Sequence, residues 1–231
     1  MSQIIIIQQW GDVLIKAEHI CYSYGQIQAV ADVSFSVREG EIFGLVGPNG
    51  AGKSTTIKIL TGLLEPDAGC ARIAGYDTVE ESLKARSCLG YMQEIPAFYR
   101  DMTVNRYLLF FGKIYIKSRR EIKNRISWLL REFNLTDRRY SLIGELSKGL
   151  RQRVALARAI LHDPRAVILD EPYTGLDPIQ IMEMRDLIRS LGKEHAILLS
   201  SHILAEVRAT CNKVGILHHG RLIEYGMIND L

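Results

Sequence analysis

The sequence predicts an α/β fold in which a mixed-sheet core is interrupted by a helical insert. Short apolar runs of strand length alternate with helical periodicity near both ends of the chain. Between them lies a stretch of helical periodicity without strand signals. One sheet core carrying a helical subdomain fits this order better than two independent domains. We therefore predict a single domain over residues 13–231, with a core formed by residues 13–93 and 161–231 and a helical subdomain over residues 94–160.

The individual elements follow from periodicity and from turn residues. Strands are indicated where apolar residues alternate with polar ones or form runs too short for a helix. The predicted strands cover residues 33–37, 42–46, 89–92, 167–169, 197–199, 214–217 and 221–225. The predicted helices cover residues 53–60, 104–114, 122–133 and 181–191. The last two strands are expected to form a hairpin, because His219 and Gly220 stand between them as a turn.

The charge balance does not favour a nucleic-acid partner. The chain has 29 Lys and Arg residues against 26 Asp and Glu residues, a net charge of +3 that is too small to indicate a polyanionic ligand. One short basic cluster consists of Lys117, Arg119, Arg120, Lys123 and Arg125, and we interpret it as a solvated helix face. We expect no nucleic-acid binding.

Neither cysteine-based metal sites nor membrane spans are indicated. Cys21, Cys70, Cys88 and Cys211 lie far apart without a C-x-x-C pair, which favours reduced thiols in a cytosolic protein. The run Ile4–Ile7 is too short for a signal peptide, and no stretch approaches the roughly 20 apolar residues of a membrane span. We expect a soluble chain, so that any membrane component would have to come from another chain.

A phosphate-binding loop is the first chemical signal. Residues 47–55 read G-P-N-G-A-G-K-S-T and match G-x-x-x-x-G-K-[ST] between a predicted strand and a predicted helix. Glycines let backbone N–H groups approach a phosphate closely, and the helix N-terminus adds its dipole. Lys53 is expected to reach the β- and γ-phosphates, and Ser54 to give a hydroxyl to Mg²⁺. We predict that nucleotide is bound by Gly47, Pro48, Asn49, Gly50, Ala51, Gly52, Lys53, Ser54 and Thr55.

Two adjacent acids at the end of a buried strand are the second signal. Asp170 and Glu171 directly follow the apolar run at residues 167–169. Burying two unpaired carboxylates costs free energy, so the pair indicates a cation or a catalytic task. We predict that Asp170 holds Mg²⁺, partly through water, and that Glu171 orients or deprotonates the attacking water. The loop and the acids together indicate a nucleotide hydrolase.

A third segment points to a family. Residues 146–153 read L-S-K-G-L-R-Q-R and lie about twenty residues before the acids. Ser147 is suited to cap a helix N-terminus, and Gly149 leaves the backbone open to a phosphate. The segment resembles the signature helix of the ATP-binding cassette (ABC) family, whose usual form is L-S-G-G-Q. The resemblance implies a P-loop NTPase core, RecA-like with an antiparallel β subdomain, and a signature helix whose Ser147 and Gly149 face the γ-phosphate held by a second subunit.

Other positions match the family pattern in order. Tyr24 stands where the family has an aromatic residue that stacks on adenine, although Tyr22 is also aromatic and only two residues away. Gln93 resembles the Q-loop glutamine, which implies a role toward Mg²⁺ and water. Residues 175–178, G-L-D-P, resemble the D-loop. His202 stands where the family has its switch histidine, which implies contact with the γ-phosphate.

The resemblance covers residues 13–226 and implies ATP and Mg²⁺ as cofactors. It implies two partners: a second ABC ATPase subunit, in a homodimer or heterodimer, and an integral membrane permease moved by ATP-dependent dimer closure. The implied location is cytoplasmic, peripheral on the inner face of the cell membrane. The S-K-G variant is similar to the branch serving multidrug, antibiotic or ABC-2-type permeases, so we expect an exporter. Lys148 either adds a cation near the phosphates or is simply exposed, and residues 101–105 are expected to face the permease.

Two other functions compete with this interpretation. A soluble ABC ATPase without a permease, for example in iron–sulfur assembly, has the same motifs. The coiled-coil insertions of repair members and the second cassette of translation members are not present in this sequence. A nucleotide kinase would share the phosphate-binding loop, but residues 146–153 argue against it.

Overall fold

A computed structural model describes residues 12–230, which form ten β-strands and seven α-helices. The strands are β1 (Val13–Tyr24), β2 (Ile27–Arg38), β3 (Ile42–Val46), β4 (Ala68–Ile73), β5 (Tyr76–Asp77), β6 (Leu89–Met92), β7 (Ala166–Asp170), β8 (Ala196–Ser201), β9 (Lys213–His218) and β10 (Arg221–Met227). The helices are α1 (Lys53–Leu60), α2 (Ser82–Ser87), α3 (Val104–Tyr115), α4 (Arg119–Glu132), α5 (Lys148–Ala159), α6 (Pro178–Leu191) and α7 (Leu204–Thr210). The predicted α/β class with a mixed-sheet core is confirmed, and the run Ile4–Ile7 lies outside the described residues.

The larger sheet has the strand order β10-β9-β3-β8-β7-β6, and all neighbours are parallel except β10 and β9. Every residue of β3, β7 and β8 is buried, which explains their continuous apolar runs. The register pairs Val46 of β3 with Ser201 of β8, and Asp170 of β7 with Ser200 of β8. The carboxyl ends of these three strands therefore meet at one edge, where open parallel sheets bind their ligands.

The smaller sheet is antiparallel, with the order β2-β1-β4-β5. It packs on the larger sheet through buried side chains, among them the stacked rings of Phe35 and Phe43, whose centroids lie 4.9 Å apart. The alternation predicted in β2 is confirmed, because Val33, Phe35 and Val37 are buried and the serines between them are more exposed. This sheet is the antiparallel β subdomain that the family resemblance implied.

Helices α3, α4 and α5 form the helical region between β6 and β7. Alternate residues of β7 divide the core: Val167 and Leu169 join the cluster that contains the helices, whereas Ala166 and Ile168 join the cluster of the smaller sheet. The helical region thus packs on one face of the larger sheet and the smaller sheet on the other. The exact subdomain boundaries at residues 94 and 160 stay a prediction.

Several elements were not individually predicted from the sequence. They are β1, β4, β5, α2 and α7. By contrast, α1 and β6 begin and end at the predicted residues, and β9 and β10 form the predicted hairpin. No helix within residues 12–230 is both long and apolar enough to cross a bilayer.

Candidate nucleotide-binding site

The loop after β3 adopts a conformation that favours glycine at two positions. Gly50 has φ of 79° and Gly52 has φ of 107°, both in the left-handed region that residues with a Cβ rarely adopt. Gly52 is also the N-cap of α1 and contributes no side-chain hydrogen bond to the first turn. The N–H groups at the start of α1 are therefore not capped by that residue and can serve an anionic ligand.

Two glycines of the loop are also required by packing within the protein. A Cβ at Gly47 would overlap the carbonyl oxygen of Leu217 in β9, and a Cβ at Gly52 would lie 2.5 Å from the carbonyl oxygen of Ala29 in β2. Ala51 is buried in the core of the smaller sheet. Packing against β9 thus explains why residue 47 has no side chain, and Ala51 anchors the loop in the core. Direct contact of Gly47 and Ala51 with nucleotide stays a prediction.

Lys53, the first residue of α1, is nearly buried, with 6% of its surface exposed. Its Nζ donates hydrogen bonds to the carbonyl oxygens of Gly47 at 2.6 Å and Pro48 at 3.3 Å. The same Nζ lies 3.7 Å from Oε1 of Glu171. A buried ammonium needs anionic or carbonyl partners, and here it joins the loop to the acid at the end of β7.

The two predicted acids are both buried at the end of β7. Oδ1 of Asp170 accepts a hydrogen bond of 2.6 Å from the hydroxyl of Ser200 on β8. Burial raises the pKa of Asp170 above its ordinary value, and the hydrogen bond from Ser200 opposes this rise. Glu94 and Glu171 add to the rise through charge repulsion, so negative charge is concentrated at this point of the site.

Glu171 has a strained backbone, with φ of 47° in the left-handed region. Its N–H donates to Oγ of Ser200 at 2.9 Å. Its Oε2 lies 2.9 Å from Nδ1 of His202, which follows β8. The sequence predicted Glu171 and His202 as catalytic residues on different strands, and the structure brings their side chains into contact.

A cavity of about 490 Å³ joins these groups. It is lined by Tyr24, Ala29, Pro48, Asn49, Gly50, Gly52, Lys53, Ser54, Thr55, Glu94, Glu171, Thr174 and His202. Ten of these were predicted, while Ala29, Glu94 and Thr174 were missed. Ala29 and Thr174 belong to no motif used in the sequence analysis, and Glu94 stands one residue after the predicted glutamine.

Gln93 does not line the nucleotide cavity in this structure, and its predicted role toward Mg²⁺ and water stays a prediction. Gln93 lines a separate groove of about 240 Å³, together with residues that include Tyr91, Phe111 and Arg158. Glu94 lines the nucleotide cavity, and its negative charge contributes to the raised pKa of Asp170. Both residues follow the end of β6 at Met92, and the chain bends at Glu94.

The aromatic residue at the rim of the cavity is Tyr24, as predicted. Its ring is 46% exposed and lines the cavity, whereas Tyr22 packs against the core of the smaller sheet. The two rings contact each other edge to face at 4.9 Å. Tyr22 thus supports the ring that is free to stack on a base.

The signature segment lies outside this cavity. Ser147 is the N-cap of α5, and its hydroxyl accepts a hydrogen bond from the N–H of Leu150 at 3.3 Å, as its capping role predicted. Gly149 is buried, and a Cβ there would lie 2.7 Å from the side chain of Gln180 in α6. The side chain of Gln180 thus packs closely over Gly149, whereas the sequence analysis expected an open backbone there.

Lys148 and the D-loop contact each other. Lys148 is exposed, and its ammonium lies over Gly175, which has φ of 69° and no side chain to obstruct it. Asp177 caps α6 by accepting a hydrogen bond of 2.9 Å from the N–H of Gln180. The signature segment and the D-loop therefore form one continuous surface beside the cavity.

Comparisons with known proteins agree with this geometry. Residues 30–174 match the family described as ABC transporter. The ABC transporter ATP-binding protein NatA of Bacillus subtilis is 40% identical over 89% of this chain and 84% of its own length. The bacitracin transport ATP-binding protein BcrA of Bacillus licheniformis is 40% identical over 91% of this chain and 69% of its own length.

Solved structures give the same result. A structure described as the ATP-binding subunit of an ABC transporter superposes with a TM-score of 0.85 at 37% identity, covering 94% of this chain and 91% of the other. An ATP-binding cassette in its ADP conformation superposes with a TM-score of 0.85 at 25% identity, covering 95% of this chain and 94% of the other. These relatives favour the transporter interpretation over iron–sulfur assembly. The chain belongs to the ABC transporter family and is an ATP-binding, ATP-hydrolysing subunit coupled to transport.

Proposed function

We propose that the cavity holds ATP with its phosphates on the loop after β3 and its adenine on Tyr24. The observation that supports this most directly is the convergence of an uncapped helix start, a buried Lys53 and the buried Glu171 on one cavity. Phosphate oxygens would take over the hydrogen bonds that Lys53 now gives to the loop carbonyls. The cavity of about 490 Å³ falls within the range of pockets that hold cofactor-sized ligands.

The residues present also fit Mg²⁺ as a cofactor. The hydroxyl of Ser54 and the carboxylates of Asp170 and Glu94 are hard oxygen donors at the same end of the site. No three His, Cys, Asp or Glu side chains within residues 12–230 form a metal site by themselves, so phosphate oxygens would have to complete the ligand set. When bound, Mg²⁺ would neutralise charge on the phosphates. We add Glu94 to this end of the site and keep the predicted role of Gln93 toward Mg²⁺ as part of the proposal.

We assign the proton-accepting and water-orienting role to Glu171. Its carboxylate lies between Lys53 and His202, and its backbone is held in a strained conformation. Contact with Nδ1 of His202 orients the carboxylate and leaves Nε2 for the γ-phosphate. Replacing Glu171 by Gln keeps the shape and removes the base.

The test is steady-state hydrolysis of ATP by the Glu171→Gln variant. We expect the rate to fall by roughly 10²–10⁴-fold, while the affinity for ATP is retained, because only the proton acceptor is lost. Unchanged hydrolysis with intact folding would overturn the assignment. Glu94→Gln is expected to raise the Mg²⁺ concentration needed for half-maximal rate, whereas Glu132→Gln, at an exposed acid of α4 outside the cavity, is the matched control and should leave that concentration unchanged.

We further propose that a second copy, or a related subunit, closes the cavity with its signature segment. Ser147 and Gly149 do not line the cavity of their own chain, although Ser147 presents the exposed N-terminus of α5. A sandwich of two subunits places such a helix start opposite the γ-phosphate. Light scattering of Glu171→Gln should show a mass doubling with ATP and Mg²⁺ but not with ADP. A monomer under both conditions would contradict the closed dimer.

We also propose that the groove beside Gln93 receives the permease. Its lining combines apolar and aromatic side chains, among them Leu63, Phe111 and Tyr115, with polar ones that include Arg86 and Arg158, and the exposed rings of Tyr99 and Phe110 lie close by. Its occupant would be an apolar segment on the inner face of the membrane, since a transport-coupled ATPase needs a permease contact that adjoins its nucleotide cavity. Relatives named for bacitracin and multidrug transport support an exporter.

Co-expression tests this contact. Phe110→Asp should release the permease from an affinity-tagged complex while the ATPase rate of the isolated subunit stays the same. Ile223→Asp, at an exposed apolar residue of β10 outside the groove, is the matched control and should leave the complex intact. Equal retention of the permease by both variants would place the contact elsewhere.

A further inference from the structure

Ser200 is fully buried inside the larger sheet, with 0% of its surface exposed. It stands in β8 between the two strands that carry the nucleotide chemistry, paired with Asp170 of β7 and with Leu45 of β3. The four residues before it in β8 are Ala196 to Leu199, all apolar and buried. A hydroxyl at such a place is unfavourable unless its hydrogen-bonding capacity is used.

The hydroxyl of Ser200 acts both as a hydrogen-bond donor and as an acceptor, and its two partners belong to the consecutive residues Asp170 and Glu171. Ser200 Oγ donates its proton to Oδ1 of Asp170 at 2.6 Å and accepts the N–H of Glu171 at 2.9 Å. One oxygen atom therefore fixes the side chain of one acid and the backbone of the next. Neither the phosphate-binding loop nor the signature segment takes part in these bonds.

The second bond restrains a conformation that is not favoured by itself. Glu171 has φ of 47°, which residues with a Cβ adopt only when their surroundings enforce it. With its N–H held by Ser200, its carboxylate lies 2.9 Å from His202 and 3.7 Å from Lys53. Without that acceptor, the backbone at Glu171 can relax toward an ordinary φ and carry the carboxylate away from both partners.

The adjacent serine has a different task. Ser201 Oγ accepts the N–H of Ile203 at 3.0 Å and donates to Glu206 at 2.7 Å, so it shapes the turn that carries His202. Two successive serines on opposite faces of β8 thus hold different groups: Ser200 holds the acids and Ser201 the histidine turn.

We propose that Ser200 is a positioning residue for ATP hydrolysis, which directs the carboxylate of Asp170 toward the metal end of the site and holds Glu171 in its strained, productive conformation. This inference rests on the proposed function of the cavity. Loss of the Ser200 hydroxyl should therefore lower the rate of hydrolysis and raise the Mg²⁺ concentration that the site needs. It should leave the affinity of the phosphate-binding loop for ATP unchanged.

The experiment compares Ser200→Ala and the nearly isosteric Ser200→Cys with Thr61→Val. Thr61 is also buried and gives its hydroxyl to carbonyls at the end of α1, so Thr61→Val measures the structural cost of losing a buried hydroxyl. We expect both Ser200 variants to lower kcat by about 10–100-fold, as for a misplacement on the order of 1 Å, with KM for ATP unchanged. The Mg²⁺ concentration that gives half of the Mg²⁺-dependent change in binding of a non-hydrolysable ATP analogue should rise, and Thr61→Val should change neither quantity.

The outcomes separate the possible explanations. The positioning role would be overturned if Ser200→Cys kept the wild-type kcat. It would also be overturned if Thr61→Val lost as much kcat as the Ser200 variants and ATP affinity fell by the same factor. Glu171→Gln is measured in parallel. If Glu171→Gln abolishes hydrolysis while Ser200→Ala and Ser200→Cys leave it intact, only this inference fails. If Glu171→Gln itself retains full activity, the proposed function of the site fails first.

Discussion

Two helices of this protein begin beside a glycine-containing segment, and they begin in opposite ways. Helix α1 starts at Lys53 after Gly52, which gives it no side-chain cap, whereas α5 starts at Lys148 after Ser147, which caps it. The start of α1 lies beside the buried charged side chains of Lys53 and Glu171, whereas the start of α5 is exposed. The difference teaches that two helix starts with similar local sequence can leave their first N–H groups in different states: α1 leaves them without a side-chain cap beside the cavity, whereas α5 has its first turn capped and exposed on the surface.

The largest expected effect comes from breaking the first helix start. Lys53→Ala removes the buried cation that contacts Gly47, Pro48 and Glu171. We expect ATP hydrolysis to fall on the order of 10²–10³-fold or more, because a preorganised donor to the phosphates is lost. Binding of a fluorescent ATP analogue should weaken in the same variant. A variant with wild-type affinity and rate would contradict the assignment of this helix start to the phosphates.

Breaking the second helix start should separate binding from turnover. Ser147→Arg places a bulky side chain on the exposed end of α5, so ATP should still bind the monomer while dimer formation and hydrolysis are lost. Light scattering and an ATP-binding assay measure the two effects. Ser147→Ala is the milder control, expected to cost about 1 kcal/mol of stability through the missing cap. Loss of ATP affinity in the Arg variant would place α5 in the cavity of its own chain.

A matched pair of glycine variants sharpens the account of the loop. Gly50→Ala meets only the positive φ, a strain of about 1–2 kcal/mol, because no atom lies within 4 Å of the added Cβ. Gly52→Ala meets the same strain and also the carbonyl oxygen of Ala29 at 2.5 Å, which adds about 1–3 kcal/mol. Urea unfolding should rank Gly52→Ala below Gly50→Ala. Equal stabilities would show that the loop moves away from β2 at little cost.

The smallest expected change is a change in stability, and it comes from the buried carboxylate of Asp170 and its dependence on pH. Burial raises the pKa of Asp170 above its ordinary value, so the folded protein holds this proton more tightly than the unfolded chain. The contribution of Asp170 to stability is therefore greatest below its ordinary pKa and is lost as pH rises through the raised folded value. Asp170→Asn should raise the melting temperature near pH 7 without nucleotide, and this gain should disappear at acidic pH, while Mg²⁺-dependent hydrolysis is lost. A lower melting temperature at pH 7 would contradict a destabilising charge.

Much of the fold could be predicted from the sequence because strong local signals coincide with the element ends. Residues 53–60 and 89–92 were predicted to the residue, since glycines or polar residues bound a regular apolar pattern there. The short strands β4 and β5 have no such pattern, and their positions are determined by pairing with β1.

The site was less predictable where tertiary contacts decide. Gln93 and Glu94 are both polar and exposed after β6, so the sequence offers no local sign that Glu94 would line the cavity and Gln93 the neighbouring groove. The packing role of Gly149 depends on Gln180, thirty-one residues later. The hydroxyl of Ser200 belongs to an apolar strand in sequence, and its task becomes visible only when β7 and β8 are placed side by side.

The separation of Gln93 and Glu94 into two spaces has a mechanical consequence. A single peptide bond joins Gln93, which lines the surface groove, to Glu94, which lines the cavity with Lys53 and Glu171. A displacement of Gln93 therefore reaches the carboxylate of Glu94 through the backbone alone, without intermediate side chains. A partner that shifted Gln93 would displace the carboxylate of Glu94 as well, and a ligand that moved Glu94 would displace Gln93 in the groove.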